Sequence, residues 1–292
     1  MIKFGPSGNS ESFFNDGFSH TEQVPRWLEG KGLDCFEYSF GRGVTISDEK
    51  AYSIKKAFDE YGLEISVHAP YFINFANEEE QKIQNSINYC LQSADKGKKM
   101  GAKRIVIHPA SQGKATREQA FSRTKDNFCR LTEAIYRSGF EDMLFCLETM
   151  GKQGQIGTVS EIADLCKTDK VFIPTVDFGH VNAREQGLLK EEKDYTELLS
   201  FLISELGIGK MKNFHVHFSK IEYGLKGEIR HLTFADDKYG PEFPPLADSL
   251  LKLDLEPYIV SESAGTQAED ALFMKNTYMN KKAKFVELSK KL

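Results

Sequence analysis

Eight short apolar runs punctuate this chain, and longer amphipathic stretches separate most of them. The runs are IKFG at 2–5, DCFEY at 34–38, EISVHA at 64–69, RIVIH at 104–108, MLFCLE at 143–148, VFIPTVD at 171–177, NFHVHF at 213–218 and PYIVSE at 257–262. Their length and their Ile, Val and Phe content suit strands better than helices. Helical patterns fit 47–61, 78–100, 115–138, 192–206 and 267–290. Ser47 with Glu49, and Thr158 with Glu161 at capping-box spacing, mark helix starts. Strands separated by helices pair in parallel, because a parallel neighbour needs a long crossover. Eight such units in 292 residues predict an α/β fold, a single (β/α)8 TIM barrel domain over 1–292. The competing arrangement is an open doubly wound sheet. Its usual Gly-rich turn is missing, because GPSGNS after Phe4 lacks G-x-G-x-x-G spacing.

Composition narrows the class. A hydrophobic fraction of 40% supports a large core, and the net charge of −5 gives no global field for nucleic acid or membrane. An anionic substrate must then be held by local features. The five cysteines are odd in number and show no CxxC spacing, which predicts a reducing compartment and no Cys-rich metal motif. No run of about 18 apolar residues occurs, and MIKFGPSGNSESFF lacks a signal-peptide core. The expectation is a cytoplasmic protein with no membrane partner and no obligate protein partner.

The strand ends carry the chemistry. The third run closes at His68, the fourth at His108, the fifth at Glu148 and the sixth at Asp177; the seventh holds His215 and the eighth closes at Glu262. A histidine at one strand end is more often hydrogen-bonded structure than ligand. Six in succession differ, because a barrel brings its C-terminal strand ends to one mouth. Buried carboxylates gathered there without cations would repel or stay unsatisfied. Imidazole and carboxylate donors without thiolate suit zinc, manganese or iron, whereas calcium and magnesium prefer all-oxygen shells. There are more ligands than one ion needs, so two or three ions are expected. Neighbouring ions about 3.5–4 Å apart suit phosphate-ester hydrolysis.

Five segments in order resemble the endonuclease IV family of zinc-dependent apurinic/apyrimidinic endonucleases, on the xylose isomerase-like barrel. HAPYFINFAN at 68–77 resembles H-A-S-Y-L-I-N-L-A, and IHPAS at 107–111 resembles I-H-P-G-S. VDFGH at 176–180 resembles I-D-T-C-H, FHVHFSK at 214–220 resembles M-H-L-N-D-A-K, and SES at 261–263 matches the position of the last family Glu. The resemblance implies a trinuclear Zn2+ cluster, with Mn2+ or Fe2+ possible at some sites. One ion would take His68, His108 and Glu148. A second would share Glu148, the implied catalytic residue, and add Asp177, His215 and Glu262. A third would take His180, His231 and a carboxylate, here Glu228, which lies three residues before His231 where the family has an Asp two before. The implied reaction is cleavage of DNA 5′ to an abasic site by a metal-bound hydroxide, so the expected partner is DNA with abasic sites or other damage.

For substrate binding, Tyr71 and Lys220 match family positions, and Arg42 lies on the loop after the second strand. Lys114, Arg117 and Lys226 could add a basic rim. His217 shares the strand face of His215 but falls where the family has Asn, so it is expected to be structural or to support a ligand; His20 is read as structural. A sugar isomerase or epimerase with one or two divalent metals is the alternative enzyme, and a barrel that binds without turnover is a third reading.

Overall fold

All eight apolar runs form strands in the computed structural model, which describes residues 1–289. They are β1 (Lys3–Pro6), β2 (Cys35–Ser39), β3 (Glu64–His68), β4 (Arg104–Ile107), β5 (Leu144–Glu148), β6 (Phe172–Asp177), β7 (His215–Phe218) and β8 (Tyr258–Ser261). Around one sheet the order is β1, β8, β7, β6, β5, β4, β3, β2, and every pair is parallel. The remaining seam joins β1 to β2. There Asp34 N–H donates to the Phe4 carbonyl at 2.8 Å, and Gly8 N–H donates to the Glu37 carbonyl at 3.0 Å. A methyl group on Gly5 would lie 1.8 Å from the Cys35 carbonyl oxygen, so only glycine lets the seam draw together.

Helices fill the crossovers: α1 (Val24–Lys31), α2 (Asp48–Tyr61), α3 (Glu80–Met100), α4 (Arg117–Arg137), α5 (Val159–Cys166), α6 (Phe178–Arg184), α7 (Glu192–Leu206) and α8 (Phe243–Lys252), and α9 (Gln267–Ser289) follows β8. Residue 290, the expected end of the last helix, lies outside the described residues. Ser47 caps α2 by accepting from Lys50 N–H at 3.2 Å, and Gly62 ends it in the left-handed region at φ 64°. The Thr158–Glu161 capping box opens α5 as its spacing predicts. No helix among the described residues is long and apolar enough to cross a membrane.

Alternation along the strands sorts the side chains into two sets. Phe36, Val67, Ile105, Phe145, Leu147, Phe172, Val176, Val216 and Ile259 join the main core beneath the helices. Phe128 packs on Phe172 at 5.3 Å between ring centroids, tying α4 to β6. Truncating a fully buried Phe such as Phe172 to Ala would cost about 3–5 kcal/mol. The alternate residues face the barrel axis. Cys35, Tyr258 and Val260 form one small cluster there, and Val106, Cys146 and Ile173 form another. Above them the axis turns polar, with Glu37, Ser66, Thr175 and His215 all fully buried.

Two short antiparallel pairs lie outside the barrel sheet, and the apolar runs give no sign of them. Ala110–Ser111 pairs with Gln155–Ile156, and Ile221–Gly224 pairs with Gly227–His231. The second pair shapes the site, because it carries Glu228 and His231.

Candidate metal centre

At the C-terminal ends of the strands, Glu148 on β5 is fully buried and presents its two oxygens to different neighbours. Oε2 lies 2.9 Å from His108 Nε2 and 3.2 Å from His68 Nε2. Oε1 lies 3.2 Å from His217 Nδ1 and 3.2 Å from His180 Nδ1. Five groups of donor atoms are each drawn together within 4.8 Å, and three of them involve Glu148 or Glu228: His68, His108 and Glu148; Glu148, Asp177, His217 and Glu262; and His180, Glu228 and His231; the other two are His68, His217 and Glu262, and Glu37, His215 and His217. The first and second share Glu148. In the third, His180 Nε2 lies 3.5 Å from Glu228 Oε2, and the His180 and His231 rings meet edge-on at 5.5 Å.

Local structure positions each donor. His68 closes β3 and its Nδ1 lies 2.8 Å from the Ala69 carbonyl, which turns Nε2 toward Glu148. Asp177 ends β6 and caps α6: its Oδ1 accepts from His180 N–H at 2.7 Å, which sets the first turn that holds His180. His231 Nδ1 lies 2.9 Å from Ser219 Oγ. Glu228 depends on two glycines. Gly227 takes φ 89°, and a methyl group on it would lie 2.1 Å from the Gly151 carbonyl oxygen. Glu228 N–H donates to that carbonyl at 3.1 Å, so the hairpin is stitched to the loop after β5.

The electrostatics are those of a cation site. Burial opposes ionisation of Glu148, yet the His108 and His217 charges outweigh it and hold its carboxyl well below the usual range. Burial likewise opposes charge on Glu262, but His217 holds it down at about 2. Burial pushes Asp177 up, and the Glu262 and Glu148 charges add to this against His180. Burial alone would lower His68, His180 and His217, but the surrounding carboxylates raise all three, His68 to about 9. Protons on these imidazoles balance the carboxylates in the way divalent ions would. Asp177 Oδ2 is buried and has no hydrogen-bond partner, as a ligand atom aimed at a cation would be. Nitrogen and oxygen donors without sulfur fit zinc, manganese or iron.

His215 is displaced from its expected place. It lies deeper on β7, with Nε2 3.1 Å from Glu37; it joins neither set that contains Glu148, and its donor atoms group instead with those of Glu37 and His217. His217 stands instead among Glu148, Asp177 and Glu262. Both histidines face inward, and β7 runs on to Phe218, so the later one reaches the mouth. Burial lowers the His215 pKa to about 4, in keeping with a neutral ring inside the barrel.

The expected substrate contacts divide. Tyr71 lines the cavity above the cluster and is 56% exposed, its ring edge-on to Phe72 at 5.8 Å. Lys220 is buried, pairs with Glu242 at 2.6 Å and donates to the Asp236 carbonyl, so its ammonium is committed to the fold. Arg42 is exposed and does not line the cavity, although Ser39 at the end of β2 and Gly41 on the loop do. Lys114 and Lys226 also lie outside it, and Arg117 is spent on Glu161 at 2.6 Å. The cavity holds about 310 Å3, and Lys152 is the one Lys or Arg lining it among the described residues. Lys152 and Glu37 escaped the sequence reading; an acidic residue inside the second apolar run was the available sign of Glu37.

Comparisons with known proteins agree with this architecture. An uncharacterized protein of Methanocaldococcus jannaschii is 31% identical over 250 residues, 85% of this chain and 88% of its own length. A protein of Mycoplasmoides gallisepticum named probable endonuclease 4 is 29% identical over 203 residues, 66% of this chain and 62% of its own. Among solved structures, a D-tagatose 3-epimerase-like protein superposes with a TM-score of 0.68 at 19% identity, covering 88% of this chain and 91% of its own. Endonuclease IV from Thermus thermophilus superposes with a TM-score of 0.62 at 16% identity, covering 89% and 93%. The relatives named endonuclease 4 accord with the resemblance of the strand-end motifs, and the superpositions support the barrel. The family model for the xylose isomerase-like TIM barrel matches residues 25–277, and the chain belongs to that family.

Proposed function

We propose that the protein is a metal-dependent phosphodiesterase that cleaves DNA on the 5′ side of abasic sites. The observation that carries this reading is the third donor set, His180, Glu228 and His231, beside the two sets joined through Glu148. Zinc is the ion the donors suit best, with manganese or iron as substitutes. Divalent ions bound there would supply Lewis-acid charge and a water made nucleophilic near neutral pH. The chain's own residues do the rest. Glu148 ties the first two sets together, and Glu228 with His180 and His231 surrounds the place where charge builds on a leaving oxygen. Lys152 meets a backbone phosphate, and the exposed Tyr71 ring offers a flat apolar face beside a missing base. Hydrolysis adds water across the P–O3′ bond, leaving a 3′-hydroxyl and a 5′-phosphate on the abasic residue. The test is incision of a duplex with one abasic site by zinc-loaded protein, with and without chelator. Incision that the chelator abolishes supports the reading, and no incision by fully loaded protein ends it.

A second reading has its own support. Glu148, Asp177, His217 and Glu262 alone could hold a single ion, and the cavity suits a small substrate. A sugar isomerase or epimerase would need no more. It would turn over a ketose or aldose with the third set emptied by mutation, which the nuclease would not.

A further inference from the structure

We infer that Glu37, on β2 beneath the cluster, is the positioning residue that makes His217 present Nδ1 rather than Nε2 to a metal; the inference rests on the metal centre proposed above. His68 meets Glu148 through Nε2 at 3.2 Å, its Nδ1 held 2.8 Å from the Ala69 carbonyl, and His180 faces Glu228 through Nε2 at 3.5 Å, its Nδ1 lying 3.0 Å from the Thr149 carbonyl and 3.2 Å from Glu148. His217 is inverted. Its Nδ1 lies 3.2 Å from Glu148 and 3.4 Å from Glu262, and its Nε2 lies 2.9 Å from Glu37 Oε1. That contact is a short ion pair rather than a hydrogen bond. It lies in a fully buried place.

Glu37 is itself held from several sides. Ser66 Oγ donates to Oε2 at 2.9 Å, Ser7 Oγ donates to Oε1 at 3.2 Å, and His215 Nε2 lies 3.1 Å from Oε2. Ser7 Oγ also lies 3.4 Å from Glu262 Oε1, so one hydroxyl spans the buried carboxylate and a cluster carboxylate. A carboxylate fixed in this way, facing the far nitrogen of a ligand histidine, sets its tautomer and raises its donor strength. The same arrangement accounts for His215. It flanks the carboxylate that orients the histidine two residues later.

The test reads metal coordination and needs no DNA, so its failure is distinct from failure of the nuclease reading. Long-range 1H–15N spectra of 15N-histidine-labelled, zinc-loaded protein show which nitrogen of each histidine is bound. The expected result for His217 is a zinc-bound Nδ1 and a protonated Nε2. A zinc-bound Nε2 would overturn the inference. In Glu37→Gln, zinc affinity at the His217 set, measured by chelator competition, should fall about 10–100-fold. The His180 set should keep its affinity. If Glu37→Gln folds, by circular dichroism, and binds zinc as the parent does, the inference fails. If it does not fold, Ser66→Ala, which removes one donor to the carboxylate, should weaken the same set and no other; equal weakening at every set would mean a merely structural role.

Discussion

A methyl group on Gly151 would lie 2.7 Å from the Cβ of Glu228 and 2.9 Å from Cδ2 of His180. The third donor set therefore exists only because residue 151 has no side chain. Gly151→Ala should push the hairpin strand outward and cost about 1–3 kcal/mol of stability through overpacking. It should also weaken zinc at the His180 set about 10-fold or more, with the sets containing Glu148 unchanged. Zinc titration against a competing chelator resolves the sets. Parental binding in all of them would show that Glu228 does not depend on this contact.

Glu148→Ala removes the carboxylate that two sets share. Metal should be lost from both, and the effect should exceed the about 100-fold that loss of an outer partner costs. Elemental analysis and incision assays should fall together, while the circular dichroism spectrum stays that of the parent. Substantial activity in this variant would mean that the shared carboxylate is another residue.

Much of this arrangement can be read in the sequence, and the omissions have physical causes. The eight strands are legible because one face must be apolar under helices while short runs are bounded by turns. His68, His108, Glu148, Asp177 and Glu262 are legible because polar groups that close apolar runs need a shared reason. The choice between His215 and His217 is not legible. Both point inward at strand period, and only the height of β7 relative to its neighbours decides which one reaches the mouth. Glu37 is hidden differently: its partners Ser66, His215 and His217 are distant in the chain, and nothing near it marks it as more than an acidic strand residue. Lys220 misled because a motif match records type and order, whereas the structure spends that ammonium on Glu242 and Asp236.

The two lysines give opposite predictions. Lys152→Ala should leave stability within about 0.5 kcal/mol, because the residue is an exposed surface position. It should weaken DNA binding and reduce the salt slope by about one phosphate contact. Lys220→Ala should instead destabilise the fold, because it removes a buried side chain whose ammonium satisfies the Asp236 carbonyl. Binding isotherms at several salt concentrations, paired with thermal melts, separate the two. A Lys152 variant with an unchanged salt slope would remove that residue from the DNA path.

The pH dependence follows from the cluster charges. In chelated protein, His68 has its pKa raised from 6.5 to about 9 against the effect of burial, by Glu148, Glu37 and Glu262. The stability it contributes is full below about pH 6.5 and is lost as pH rises through about 9. Glu262 is lowered from 4.5 to about 2, so its contribution is present above about pH 4.5 and is lost as pH falls through about 2. These two groups thus favour a melting maximum between about pH 4.5 and 6.5 in chelator. Zinc needs neutral imidazole, so binding should release protons and tighten as pH rises toward 9. Calorimetry in buffers of different ionisation enthalpy measures that release, and zinc binding without it at pH 7 would contradict the protonated cluster.

The most direct test is the number of zinc ions per chain after reconstitution and removal of excess metal, read by elemental analysis. Three adjoining donor sets predict a count near three, falling toward two in Glu228→Ala. A count of one that excess zinc does not raise would contradict the three-set centre and leave the four residues Glu148, Asp177, His217 and Glu262 as a single-ion site.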